Sequence, residues 1–153
     1  MALIDDIPEP TRAHILALPI PTPDTSPFVA GPALAARRIA MVTSAALHAS
    51  VEPPFLHGTT EFRELASDLP LSDIRMSHVS INFDRYGFQR DINVVYPMDR
   101  LRELAADGEI GSVADTHYSV MGSTDPATMQ ETVAALASRL AADRVDGVLF
   151  LPV

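Results

Sequence analysis

Three stretches of this 153-residue chain predict an α/β fold, a mostly parallel sheet with flanking helices in the Rossmann-like manner. Arg38 to Leu47 is dominated by small and β-branched apolar residues, as a central parallel strand is. Thr116 to Met121 and the apolar run from Val148 enclose a long helical stretch, and a strand, helix, strand crossover of that length is a right-handed βαβ unit. One domain with a substantial core is expected at this length. The pattern divides into a proline-rich arm, 1–37, and an α/β domain, 38–153, with no internal repeat.

In the arm, seven of the thirteen prolines fall between Pro8 and Pro32, and Leu18-Pro-Ile-Pro-Thr-Pro-Asp24 reads as extended, polyproline-like chain. Arg38 to Leu47 is the first strand, with His48 just past its end and a break at Pro53-Pro54. Glu61 to Leu65 alternates as a short edge strand does, and Asp73 to Val79 alternates with Ile74, Met76 and His78 on one face. Ser80 to Arg90 is a polar and aromatic loop pivoting at Gly87. Asp91 to Pro97 leads into a helix over Arg100 to Asp107, capped by Asp99, buried through Leu101, Leu104 and Ala105, and stopped by Gly108.

Thr116 to Met121 is the next strand. Asp125 and Pro126 then supply a cap and a first-turn residue whose missing N–H costs nothing. Met129, Val133, Leu136 and Leu140 fall on one face of the helix that follows. The final strand, from Asp146 to Val153 with Gly147 at the entry of its apolar run, reads as buried and central.

A formal charge of -9 and a pI of about 4.8 speak against nucleic acid as a partner, because phosphates need a basic face. No apolar stretch approaches the roughly 20 residues of a membrane span, and Met1 to Asp6 lacks the basic start and apolar core of a secretion signal. A cytoplasmic location is expected. With no cysteine, disulfides, thiolate metal sites and a cysteine nucleophile are excluded for the chain as written.

Four ionisable residues recur near predicted strand ends: His48, His78, Asp91 and His117. If neighbouring parallel strands gather them on one sheet edge, they form a polar pocket able to hold a carboxylate or shuttle a proton. Taken singly, each histidine also fits a hydrogen-bonded structural role. The spacings match no compact metal-ligand motif, so no metal site is assigned. Gly122-Ser-Thr-Asp-Pro reads as an ordinary helix cap, and Ser44 and Ser119 lack a nucleophile setting.

Several of these segments together resemble the selenoprotein B family, the selenocysteine subunits of D-proline reductase and of glycine, sarcosine and betaine reductases. Met41-Val-Thr-Ser-Ala-Ala-Leu-His48 is similar to Val-Thr-x-Ala-Gly-Val-His, and Gly58-Thr-Thr-Glu-Phe-Arg63 to Gly-Asp-x-Ser-Phe-Arg. Ser77-His78 matches a Ser-His pair. Asp91-Ile-Asn93 with Pro97-Met-Asp99 and Leu104 matches Asp-Ile-Asn-Cys-x-Phe-Pro-Ile-Asp-x-x-x-x-Leu. Gly108-Glu-Ile, Val120-Met-Gly122 and Val145-Asp-Gly-Val148 follow in the family's order. Val94 stands where the family has cysteine, and Ala46 where it has glycine.

The resemblance implies a reductive cleavage of a C–N bond. A selenolate attacks the carbon α to a carboxylate and displaces the amine, and a dithiol then reduces the oxidised selenium. In the family the selenocysteine, or a cysteine, follows the strand that ends here at Val153, so the chain is expected to be the N-terminal part of a larger protein, interrupted at an in-frame UGA. It is expected to carry no catalytic residue of its own and to be inactive alone. His48, His78, Asp91 and His117 are expected as polar neighbours of the site. The resemblance further implies a small amino-acid or amine substrate, a partner reductase subunit that carries a pyruvoyl group in some members, and an oligomer. No cofactor is assigned to the chain itself. The alternative expectation is a non-catalytic domain on the same fold, binding a small carboxylate or a partner subunit.

Overall fold

The computed structural model of the protein describes residues 3–18, 24, 26, 28–80 and 84–153. Two compact units divide the chain, Met1–Ala30 and Gly31–Val153. The first holds a 3-10 turn at Ile4–Asp6 and a short helix, α1 (Thr11–Leu16). Glu9 supports the start of α1 by accepting from the Ala13 N–H at 3.1 Å and pairing with Arg12 at 2.9 Å. The expected polyproline run from Leu18 to Asp24 lies mostly outside the described residues.

The second unit is α/β. In chain order it runs β1 (Arg38–Thr43), β2 (Leu47–Ala49), β3 (Phe62–Ala66), β4 (Ile74–Met76), α2 (Tyr86–Arg90), α3 (Met98–Ala106), β5 (Ser112–Val113), β6 (Thr116–Val120), α4 (Gln130–Ala142) and β7 (Gly147–Leu151). β1 is the axis of the main sheet and is buried from Ile39 to Thr43. β7 lies parallel along one side of it, from Ile39 opposite Gly147 to Thr43 opposite Leu151. β5 and β6 follow one another, also parallel, along the other side, with Arg38 opposite Ser112 and Val42 opposite Tyr118. β3 closes that side antiparallel to β6, the edge strand that its alternation predicts. β2 and β4 form a separate antiparallel pair. The mostly parallel sheet with helices is thus the observed architecture, and α4 is the crossover from β6 to β7.

The core gathers Ile39 and Met41 of β1, Leu47, Leu65 and Ile74 of the next strands, and Tyr96, Met98 and Leu101 at the start of α3. Asn93 organises that helix start. Its amide oxygen accepts the Asp99 N–H at 3.1 Å, and its amide nitrogen donates to Asp99 at 3.1 Å and to Asp91 at 3.0 Å. The helix therefore begins at Met98, and Asp99 is a first-turn residue rather than the cap. Gly108 ends it as expected, with φ 75 in the left-handed region that glycine adopts freely.

Elsewhere the boundaries move for physical reasons. The expected first strand, Arg38 to Leu47, is two strands, because the backbone turns at Ser44–Ala46 and Ala46 takes φ 53. The loop expected over Ser80–Arg90 contains α2 from Tyr86, so Gly87 lies inside a helix; residues 81–83 lie outside the described set. Asp125 caps a 3-10 turn at Pro126–Thr128, one step ahead of α4, by accepting the Ala127 N–H at 2.9 Å.

On α4, Met129 just ahead of the helix is buried, Leu136 and Leu140 are half-buried and Val133 is 59% exposed. The final strand, expected to be covered, is not: among the described residues it pairs only with β1, and Phe150 is 70% exposed. No helix of the described residues is long and apolar enough to cross a membrane.

Candidate functional site

The carboxyl ends of β1, β6 and β7 meet at Ser44. Its N–H donates to the Leu151 carbonyl at 3.1 Å, its carbonyl accepts from the Gly122 N–H at 3.0 Å, and its Oγ accepts from the Val153 N–H at 2.9 Å. This is the edge of a parallel sheet at which α/β proteins collect ligands.

The chain leaves β1 there by a corner made of small hydroxyls. Thr43 Oγ1 takes the Ala45 N–H at 3.2 Å and Ser119 Oγ takes the Leu47 N–H at 2.7 Å, both inside the protein. A buried N–H without an acceptor costs roughly 1–3 kcal/mol, so these hydroxyls are structural requirements of the bend. Sequence reasoning noted Ser44 and Ser119 only as hydroxyls without a nucleophile setting; their partners are far away along the chain.

His78 stands at the same corner. A Cβ on Gly122 would lie 2.7 Å from the Ser44 carbonyl oxygen and 3.0 Å from His78 Nε2, so glycine is required for the ring and the strand end to approach. The Ser80 N–H donates to Nδ1 at 3.2 Å, which leaves the proton of the neutral ring on Nε2. Burial, and then the Arg85 charge, lower its pKa below the usual histidine range.

The other three candidates have their own partners. His48, in β2, is buried, donates from Nδ1 to the Ala49 carbonyl at 2.9 Å and presents its ring to the edge of Phe55. Asp91 is exposed and accepts from both the Asn93 N–H at 2.9 Å and the Asn93 amide at 3.0 Å; these bonds hold its carboxyl below the ordinary range.

His117 is fully buried where β5 and β6 join. β1 spends three residue steps between its pairings with Val113 and Tyr118, while the facing segment spends five, so the ladder is broken by a bulge. His117 Nδ1 fills the gap by accepting the Met41 N–H at 3.0 Å. The ring is thereby fixed as the neutral Nε2–H tautomer, and burial pushes its pKa down to about 4. Tyr96 packs edge-on against it at 5.7 Å between centroids, and burial drives the Tyr96 hydroxyl pKa upward. Among the described residues no three histidine, aspartate or glutamate side chains are placed to hold a metal ion.

At the opposite end of the sheet, Arg38 is the clamp. Its guanidinium meets the Asp143 carboxylate at 2.5 Å, Asp115 at 3.0 Å and the Val113 carbonyl at 2.9 Å, tying β1 to the end of α4 and to the bulge. Burial pushes the Asp143 carboxyl up, but the Arg38 bond and charge and the neighbouring N–H groups outweigh it and hold the pKa below the ordinary range.

The sequence profile of glycine/sarcosine/betaine reductase selenoprotein B matches residues 18–152. The chain belongs to this selenoprotein B family. D-proline reductase subunit gamma of Acetoanaerobium sticklandii is 32% identical over 114 residues, which are 72% of this chain and 46% of that protein. The chain therefore spans about half the length of this curated relative. No solved structure matches it. Ala46 takes φ 53, in the left-handed region that glycine enters freely, which suits the glycine that the resemblance sets opposite this position.

Proposed function

We propose that this selenoprotein B chain is the front half of a cytoplasmic reductase subunit that cleaves a C–N bond α to a carboxylate, with a dithiol as electron donor. The observation that carries the reading is the family match over residues 18–152, joined to coverage of only 46% of the D-proline reductase gamma subunit. The redox residue, selenocysteine or cysteine, belongs just after Val153. The convergence of three strand ends on Ser44 supports that position, since it fixes the backbone leading into it.

In the reaction, the chalcogen anion forms a bond to the α-carbon as the C–N bond breaks, and the departing nitrogen takes a proton. Attack by one thiol on the selenium then releases the carbon fragment, which takes a second proton, and the second thiol completes the disulfide. Of the four sequence candidates, His78 is assigned to the substrate, as a contact to its carboxylate, on the strength of its place beside Gly122 at the carboxyl end of the sheet. His48 lines the neighbouring β2–β4 pair, while His117 and Asp91 hold the fold around the site. The substrate is a small amino acid or amine. A partner subunit completes the enzyme, and a pyruvoyl group, where one is used, stays with that partner.

The codons after Val153 test this. The expected finding is a UGA followed in frame by further α/β coding sequence; a UAA or UAG followed by noncoding sequence would remove the redox residue from the account. A second reading, a non-catalytic subunit-interaction domain, is favoured by one observation, the exposure of Phe150 on a strand paired along one edge only. It predicts a complex with a partner subunit and no turnover from any extended form of the chain.

A further inference from the structure

A cavity of about 400 Å³ opens between β4, α2 and the 3-10 turn at Ile92–Val94. Its walls are mostly apolar. Ile74 is a buried core residue, and Met76, Phe88 and Ile92 are half-buried and pack against the same core. Arg75 and Arg90 stand exposed at its rim, and no aspartate or glutamate is among the described residues that line it.

Those two arginines belong to a chain that holds 20 acidic residues against 11 basic ones, all of them arginine. Arg12, Arg38, Arg63, Arg100, Arg102 and Arg139 each pair with a carboxylate. Arg37, Arg75, Arg90 and Arg144 have no carboxylate partner among the described residues, and of these four Arg75 and Arg90 line the cavity. Arg75 donates to the Ser72 and Ile74 carbonyls at 2.7 and 3.0 Å, and Arg90 donates to the Tyr86 hydroxyl at 3.2 Å with its guanidinium against the Tyr86 ring. A guanidinium offers five N–H donors in a fork that matches a carboxylate, so each retains donors after these contacts.

Two cations without internal anions, set over an apolar floor in a hollow of small-molecule size, specify a complementary ligand. We infer that this cavity binds a small monocarboxylate with an aliphatic or aromatic body and no ammonium group. The carboxylate meets Arg75 and Arg90 while the body lies on Ile74, Met76, Phe88 and Ile92. An ammonium group on the ligand finds no counter-charge there and would face two like charges. None of the residues lining it is Ser44, Gly122 or His78, and the inference does not depend on the reductase reading.

The test uses the 153-residue chain with three probes of one body: hexanoate, hexanamide and norleucine, titrated while amide resonances are followed by NMR. Hexanoate is expected to shift the Arg75, Phe88 and Arg90 signals saturably, with hexanamide and norleucine each weaker by about tenfold or more. Arg75→Gln and Arg90→Gln lie on the exposed rim, and circular dichroism checks that both variants fold. Each is expected to weaken hexanoate by about fivefold or more. Absence of saturable shifts at these residues, equal binding of the amide or the amino acid, or unchanged hexanoate affinity in both folded variants would each overturn the inference.

Discussion

Acidification should weaken the fold through His117 before it touches any carboxylate. The ring is fully buried and its pKa is about 4, while in the unfolded chain it titrates at the ordinary value of 6.5. Between those values the unfolded state takes up a proton that the native state refuses, so stability is fully present above about pH 6.5 and falls steadily toward pH 4. The displacement of roughly two and a half pH units corresponds to about 3 kcal/mol, a large part of a typical domain stability. Burial is the main cause of the refusal, and the geometry works the same way, because Nδ1 accepts the Met41 N–H and a protonated ring has no lone pair to do so.

Urea unfolding of the wild type and of His117→Asn across this pH range measures the effect. Asparagine supplies an oxygen acceptor and does not titrate, so the difference between the two proteins should grow by about 3 kcal/mol in favour of the variant as pH falls from 7 to 4. His78, also lowered, acts in the same window, but it is common to both proteins and cancels. Asp143 and Asp91 are held below 3.8 and act only in stronger acid. Parallel pH profiles for wild type and variant, or an NMR titration of His117 near 6.5, would refute the reasoning.

Other expectations follow from single contacts. The Tyr96 hydroxyl is buried with no hydrogen-bond partner among the described residues, so Tyr96→Phe should raise stability by about 1 kcal/mol in chemical denaturation. Gly122→Ala sets a methyl against the Ser44 carbonyl and the His78 ring, and should lower stability by roughly 1–3 kcal/mol, with the His78 NMR signals shifted. The Phe150 ring is largely exposed, so Phe150→Ser should cost well under 1 kcal/mol of unfolding free energy while reducing self-association in sedimentation.

The parts of this fold that are legible in the sequence are those that local chemistry dictates. Gly108 ends a helix because its backbone must reach φ 75, and Asp125 with Pro126 opens a turn because a carboxylate and a missing N–H suit free amide groups. The apolar run beginning at Ile39 announces the central strand, and the alternation around Leu65 announces the edge.

What stayed hidden is non-local. The corner at Ser44–Ala46 contains neither glycine nor proline, and is held by Ser119 and Thr43 hydroxyls that no periodicity reveals. The bulge at His117 depends on a count of residues in two strands far apart in sequence. Among the candidate site residues, the histidines could be placed near strand ends, but only the packing distinguishes His78 at the carboxyl edge from His117 inside the ladder. The exposure of Phe150 depends on which strands lie beside it, and its apolar neighbours in sequence point the other way.

The proposal that this chain is the front half of a C–N-cleaving reductase is checked by measuring dithiol-dependent C–N cleavage of D-proline, glycine, sarcosine and betaine, read as ring opening to a linear amino acid for D-proline and as release of ammonia or an amine for the other three. The coding sequence is read through the codon after Val153 with selenocysteine or cysteine inserted there, and the product is assayed beside the 153-residue chain, each together with its partner subunits. Cleavage of at least one of these substrates is expected from the extended protein and none from the shorter chain. Turnover by the 153-residue chain, or its absence from every folded, extended form with its partners present, would contradict the proposal.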